Sequence, residues 1–401
     1  MIESENNLKI ISILGWTNYK KVTYLHPDYK NNQIKLLTPF YQEALVEFYQ
    51  PKTLYVLLTE EVEFDPPRGA TTTKSNWQVL QEKLVGKVDL YPIKNISVEL
   101  TPNAIWSIFN SITEFIEPGD RVIFDITNGF QSIPIVALLA ISYLRVVRQV
   151  EIEALLYGAL KYPIKEGDET PSYDLLPIVS LLDWTTATDQ FIKTGNGEAL
   201  ADLLKNNQTT DQTTEKLAES IANISRGLQM LRPIDVMIAS AQLSEDIEEA
   251  TSTISQEIPP FVTLLKRVET DYSKFGLANP QTEDNAKNSL IKQLQMVEWY
   301  VEKKEIVQAL SIAREWLPSL LCYHFKLNML DKSDRSEMEL LLRGGKDKDD
   351  EGNTTKESQY LARWKELPKN TRKPINTLWG GEYDLARACH QLRKAIAKPK
   401  N

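Results

Sequence analysis

Two short polar stretches carry the residue types that hold phosphates and base edges. Gly15-Trp16-Thr17-Asn18-Tyr19-Lys20 follows the apolar run LKIISIL, and Asp125-Ile126-Thr127-Asn128-Gly129-Phe130-Gln131 separates RVIF from SIPIVALLAISYLRVV. Each offers Thr and Asn side chains, a glycine that lets a ligand reach the backbone, and amide N–H groups. Lys20 supplies a cation for phosphate, and Trp16, Tyr19 and Phe130 supply flat rings on which a base stacks. Taken singly, each loop is explained as well by turn making and helix capping, and each ring by packing. Two such loops at strand ends favour a binding site. Other chemistries lack their parts: Gly15 alone follows the first strand, no Gly-Lys-Ser/Thr phosphate loop occurs, and Asp125 has neither a Ser or Cys elbow nor a histidine besides His26 in its half of the chain.

To act together, the loops must leave neighbouring strands of one sheet. LKIISIL (Leu8 to Leu14), TLYVLLT (Thr53 to Thr59), KVDLYPI (Lys87 to Ile93), RVIFD (Arg121 to Asp125) and VEIEALLYGAL (Val150 to Leu160) read as strands bounded by Gly, Pro, Asn and Asp. Between them, TPNAIWSIFNSITEFIEPGD has Thr101 as N-cap, Pro102 at the first helical position, apolar residues at helical spacing, and Pro118-Gly119 as its stop. TPFYQEALVEFYQP repeats the device with Thr38 and Pro39, and SIPIVALLAISYLRVV is apolar on every side, as suits a helix buried against a sheet. This rhythm predicts an α/β Rossmann-like domain with a mostly parallel, doubly wound sheet, whose ligands bind beyond the carboxyl ends of its strands.

After YDLLPIVSLLDW (Tyr173 to Trp184) the strand signal stops, and apolar residues recur three and four apart to the end of the chain. The expected division is residues 1–185 and an all-helical 186–401, with the boundary near Asp183 to Gln190. GGKDKDDEGNTTKES (Gly344 to Ser358) reads as a solvated or disordered loop. Two domains also suit 401 residues, since about 150 per domain is ordinary.

The net charge of −9 argues against coating duplex DNA or an anionic membrane, though it permits a local anion site. Cys322 and Cys389 with His26, His324 and His390 do not make a zinc site of ordinary spacing, so no metal or resident cofactor is expected. Ile133 to Val147 is too short an apolar run to span a bilayer, and MIESENNLKIISILG lacks a signal peptide's basic start and long apolar core. The expectation is a cytoplasmic protein without a disulfide framework.

IISILGWTNYKKVTYLH, FYQEALVEFYQPKTLYVLLTEE and DRVIFDITNGFQSIPIVALLAISYLR together resemble the CRISPR-associated proteins named for an Asp-x-Thr-His-Gly motif. These are type III effectors with a CRISPR-associated Rossmann-fold (CARF) sensor domain and a helical HEPN ribonuclease domain. The likeness covers most of residues 8–190 and, more loosely, the helical half. Asn128 stands where the family name has histidine, which keeps a hydrogen-bonding side chain and removes a titrating one. The resemblance implies a cyclic oligoadenylate, usually the tetramer, as allosteric activator. Gly15, Trp16, Thr17, Asn18, Tyr19, Lys20, Asp125, Thr127, Asn128, Gly129, Phe130 and Gln131 would line its pocket, and a two-fold homodimer would match the ring's symmetry.

HEPN ribonucleases pair Arg with His in the pattern Arg-x4–6-His, and the pairs of two subunits meet to cleave single-stranded RNA without metal. In QLRKAIAKPKN, Arg393 falls on the arginine and Lys398 on the histidine. With an ordinary pKa of about 10.4, lysine holds phosphate but is a poor base. His390, three residues after Arg387, is a displaced candidate; read without the family, Arg393 and Lys398 are a basic turn complementing a helix dipole. The resemblance therefore implies a cyclic-oligoadenylate sensor with reduced or lost RNA cleavage. The alternatives are a catalytically silent receptor and a ring nuclease that linearises the activator in the sensor domain.

Overall fold

The computed structural model describes residues 7–28, 33–97, 101–128, 133–206, 211–380 and 385–397. It divides into two compact units, with the division between Ser180 and Leu181.

The first unit holds eight strands: β1 (Leu8–Ile13), β2 (Val22–Leu25), β3 (Lys35–Thr38), β4 (Thr53–Leu57), β5 (Asp89–Ile93), β6 (Arg121–Asp125), β7 (Glu151–Gly158) and β8 (Glu169–Asp174). They form one sheet in the order β3-β2-β8-β7-β6-β1-β4-β5. Five neighbouring pairs run parallel, while β2 with β3 and β7 with β8 run antiparallel. The expected mostly parallel, Rossmann-like sheet is present. The sequence reading omitted β2, β3 and β8, which are short and gathered at one side of the sheet, with Lys in β3 and Glu and Pro in β8.

The helices of this unit are α1 (Tyr41–Tyr49), α2 (Glu60–Phe64), α3 (Asn76–Leu84), α4 (Pro102–Thr113), α5 (Ile133–Val147) and the start of α6 (Leu176–Thr194). Strand alternation sorts side chains to two faces. Ile10 and Ile123 join Ala44, Leu45, Trp77 and Leu80 of α1 and α3, whereas Ile11 and Phe124 join Ile108, Ile112, Ala140 and Ile141 of α4 and α5. Thr101 caps α4 as its sequence predicts, its hydroxyl accepting the Ala104 N–H at 3.2 Å.

Four local readings change. Thr38 closes β3 opposite Val22 and α1 begins at Tyr41, so the Thr38-Pro39 start is displaced by the strand. Residues 176–184 are helical, because Asp174 ends β8 and its carboxylate accepts the Leu176 N–H at 2.9 Å. Segment 344–358 contains a hairpin of β9 (Lys346–Lys348) and β10 (Thr354–Glu357), tied by a Lys346–Glu357 ion pair at 2.9 Å. Its turn is set by Asp349, whose carboxylate accepts the N–H groups of Glu351 and Asn353. Lastly, α5 buries one face only: Ile135 is 64% exposed, Leu139 56% and Val146 82%.

The second unit continues α6 and adds α7 (Glu198–Lys205), α8 (Gln212–Gln229), α9 (Pro233–Glu257), α10 (Phe261–Tyr272), α11 (Ala286–Glu302), α12 (Ile306–Phe325), α13 (Lys332–Leu342), α14 (Leu361–Glu366), α15 (Lys369–Gly380) and α16 (Leu385–Ala397). Its core is rich in aromatic residues. Phe191 stacks on Tyr272 at 4.1 Å, and the Tyr300 hydroxyl donates to the Leu228 carbonyl at 2.5 Å. At residue 227 the chain of α8 passes so close to α9 that an added Cβ would meet Val236 Cγ2 at 2.7 Å. Gly227→Ala is expected to lower the melting temperature by several degrees, roughly 1–3 kcal/mol of overpacking; an unchanged calorimetric melt would contradict that close approach.

Candidate functional site

Strands β1 and β6 lie side by side with Ile11 opposite Phe124, and the next helices after them, α1 and α5, pack on opposite faces of the sheet. That is the switch point at which open parallel sheets bind ligands. The two polar loops named from sequence leave the sheet here, and they meet: a Cβ added at Gly15 would lie 3.6 Å from the Asn128 carbonyl oxygen.

Beneath them sits Asp125, buried with 2% exposure. Its Oδ2 accepts the Ser12 hydroxyl at 2.5 Å, and its Oδ1 accepts the Thr127 N–H at 2.8 Å. Gln42 of α1 donates its amide to Ser12 Oγ at 2.9 Å and to the Ile13 carbonyl at 2.8 Å. Thr127 Oγ1 then accepts the Gly158 N–H at 2.8 Å. One hydrogen-bonded chain thus links α1, β1, β6 and β7, and it fixes where the second loop turns. Burial raises the Asp125 carboxyl to about 6, against the opposing pull of its bonds from Ser12 and Thr127.

The first loop has its own ties. Asn76 at the start of α3 donates to the carbonyls of Gly15 and Thr17, both at 2.9 Å. The Trp16 indole donates to the Pro66 carbonyl at 2.9 Å, and the ring stays 41% exposed. The Gly15 N–H donates to the Tyr19 hydroxyl at 2.8 Å, and an added Cβ at Gly15 would meet that oxygen at 2.8 Å, which explains the glycine.

Thr17, Asn18 and Lys20 are exposed at the mouth, with Lys20 Nζ donating to the Ile164 carbonyl at 2.8 Å. Asn128 buries its Nδ2 without an acceptor among the described residues, an arrangement that a ligand's acceptor atom would complete. Two expected ligand contacts change role. Asp125 is enclosed by Ser12 and Thr127 and holds the loop from behind. Tyr19 packs edge-on against Phe40 at 5.6 Å, and burial pushes its hydroxyl well above the ordinary tyrosine value, so it is a strut and not a stacking platform. Gly129, Phe130 and Gln131 lie outside the described residues.

Sequence reasoning missed Ser12, Gln42 and Asn76. The signal was present, because Ser12 is the one uncharged polar residue within the strand LKIISI and Gln42 lies on the buried face of α1.

In the helical unit, Arg393 of α16 pairs with Glu298 of α11 at 3.2 Å. Burial raises the Glu298 carboxyl above its ordinary value, while Arg393 opposes the rise. His390 is exposed one turn before Arg393 on the same helix, and Lys398 lies outside the described residues. Cys322 and Cys389 are free and buried, their thiols pushed up to about 11 and about 12 by burial.

The buried carboxyl makes a signed prediction. With a folded value near 6 and an unfolded value near 4, the native state holds a proton that the unfolded chain releases between those pH values. Stability therefore falls as pH rises through that window and remains lower above it. Asp125→Asn removes this loss, so the variant is more stable at pH 7.5 by up to about 3 kcal/mol and matches the wild type below pH 4. Urea melts at the two pH values check this; a variant equally or less stable at pH 7.5 would contradict it.

Comparison with known proteins places these observations. A model of the CARF domain of the CRISPR system endoribonuclease Csx1 matches residues 9–161. A model of the second domain of the CRISPR-associated protein MJ1674 matches residues 180–285. The MJ1674 protein of Methanocaldococcus jannaschii is 29% identical over 136 residues, 33% of this chain and 20% of that protein, so the match spans a fifth of that relative's length. The structure of Enterococcus italicus Csm6 bound to cyclic hexa-2'-fluoro-hexa-dAMP aligns with a TM-score of 0.49 and 9% identity, over 97% of this chain and 92% of that one. Over residues 9–161 the chain is thus similar to the CARF domains of CRISPR-associated effectors.

Proposed function

We propose that the first unit binds a cyclic oligoadenylate, the tetramer foremost, between two copies of the chain, and that occupancy regulates a HEPN-like helical unit. The observation that carries this reading is the meeting of the Gly15–Lys20 and Asp125–Asn128 loops at the β1/β6 switch point, with the Asn128 amide nitrogen buried and lacking an acceptor among the described residues. The ligand class follows from the CARF family. Thr17, Asn18 and Lys20 face the phosphates, Trp16 stacks on an adenine, and Asn128 donates to the nucleotide.

The exposed face of α4 and α5 supports pairing of two copies. Trp106, Phe109 and Tyr143 form an edge-to-face ladder with ring separations of 5.7 and 5.2 Å, and Ile135, Leu139 and Val146 extend it at helical spacing. A contiguous apolar face of this kind marks an interaction surface. Because α5 follows the Asp125 loop in the chain, a two-fold axis along this face brings the two copies' loops toward each other.

For the helical unit, the reading is a weakened ribonuclease. Arg393 is in place to hold a phosphate once it parts from Glu298, while Lys398 stands where the family has its histidine, and a lysine is a poor base. The second reading, a silent receptor, is favoured by the same Lys398. Both place the protein in the cytoplasm among type III CRISPR effectors.

Asn128→Ala is expected to weaken cyclic tetra-adenylate at least tenfold in calorimetric titrations without changing the melting temperature; unchanged affinity would remove Asn128 from the site. Leu139→Glu is expected to convert a dimer to a monomer in sedimentation and to abolish tight ligand binding; a variant that stays dimeric would contradict pairing through α5. Labelled single-stranded RNA, incubated with ligand, is expected to be cut slowly or not at all by wild type. Lys398→His should cut it at least tenfold faster, and Arg393→Ala with Lys398→His should lose that gain. If Lys398→His stays inactive, the weakened-ribonuclease reading fails.

A further inference from the structure

Charge in the helical unit is segregated. Helix α9 carries six Asp or Glu and no Lys or Arg, whereas residues 361–401 carry ten Lys or Arg against three Asp or Glu, in a chain of net charge −9. Lys369 and Lys373 stand exposed one turn apart on α15, with Arg372 half-buried between them. Lys365 is exposed on α14, and Lys394 on α16.

The same unit holds a cleft of about 340 Å³. Leu231, Pro233 and Ile312 give it apolar walls, and Gln293, Ser311 and Arg314 give it polar ones. The Arg314 guanidinium lies 5.7 Å from the ring centre of Trp379 on α15, which joins cleft and basic helix. Glu315 also lines the cleft, but Arg335 neutralises it at 2.8 Å. Gln293 lies five residues before Glu298 on α11, about 7.5 Å along the helix axis. The cleft is therefore on the same helix that holds Arg393.

Its volume is at the low end of small-ligand sites, enough for a single nucleoside. An apolar wall and a planar guanidinium suit a base's faces, and a carboxamide with a hydroxyl suits its edge. The Ser311 hydroxyl donates to the Val307 carbonyl at 2.8 Å, which turns its oxygen outward as an acceptor. Lysines on α15, the helix whose Trp379 meets Arg314 of the cleft, can track a phosphate backbone. A duplex keeps its bases stacked, and an acidic peptide has no planar base to insert.

The geometry points to a nucleobase subsite formed by Gln293, Ser311 and Arg314, which reads one splayed base of a single-stranded RNA held by Lys369 and Lys373. It rests on the reading of the helical unit as an RNA-processing domain, and it adds base selectivity to that reading. Catalysis is not required, so binding alone tests it.

The experiment is fluorescence anisotropy of labelled 12-nucleotide A, C and U homopolymers on the full chain. Wild type is expected to rank the three by at least fivefold. Ser311→Trp, which fills the cleft from an exposed position, and Arg314→Ala are each expected to abolish the ranking and weaken the preferred homopolymer about tenfold. Lys369→Glu with Lys373→Glu is expected to weaken all three alike and to reduce the salt slope by about 2. The inference is overturned if wild type binds the homopolymers equally, if Ser311→Trp and Arg314→Ala keep the wild-type ranking, or if poly-glutamate of matched charge competes as well as RNA. Cyclic tetra-adenylate titrated into the same variants separates the two levels. Retained ligand binding with an unchanged RNA ranking rejects the subsite alone, whereas loss of ligand binding in wild type rejects the sensor reading.

Discussion

The carboxylate of Asp125 has left water to accept two hydrogen bonds, from Ser12 and from the Thr127 backbone, at the end of a parallel sheet. Burial of a carboxylate opposes its ionisation, and the carboxyl is raised to about 6. A neutral residue there would give a more stable fold. What the charge provides is position: the Asp125 loop cannot turn elsewhere without stranding a buried carboxylate. Ser12 of β1 holds that carboxylate and Gln42 of α1 holds Ser12 in turn, so the loop geometry depends on packing well behind the surface.

The rest of the first unit follows from that constraint. Ile10 and Ile123 anchor one helical layer and Ile11 and Phe124 the other, so β1 and β6 are clamped from both faces. Asn76 ties the first loop to α3 and the Tyr19 hydroxyl braces it from within, and Gly15 is needed because that hydroxyl takes the space of a side chain. What remains at the mouth is the set proposed to meet a ligand: Trp16, Thr17, Asn18, Lys20 and the Asn128 amide. Energy spent burying polar groups at this end is returned as a preformed surface, which lowers the ordering cost of binding.

Much of this was legible in the sequence. Five of the strands, the cap and Pro102 start of α4, and both loops could be named, because β-branched runs, Thr-Pro starts and Thr-Asn-Gly breaks encode local geometry. Strands β2, β3 and β8 were hidden because they are short, β3 and β8 carry Lys, Glu or Pro, and the place of β2 beside β8 is set by a partner distant in sequence. The roles of Asp125 and Tyr19 were also hidden, since burial behind Ser12 or against Phe40 is set by tertiary packing and not by residue type. The all-round apolarity of α5 was visible, yet its meaning differed: one face serves the sheet and the other stands exposed beside Trp106 and Tyr143.

The central claim is that two copies of these loops enclose one ring. Calorimetric titration of the full chain with cyclic tetra-adenylate counts ligands per protein directly. The account predicts sub-micromolar binding that saturates at one ring for every two chains. Saturation at one ring per chain, or no heat of binding at micromolar concentration, would contradict it.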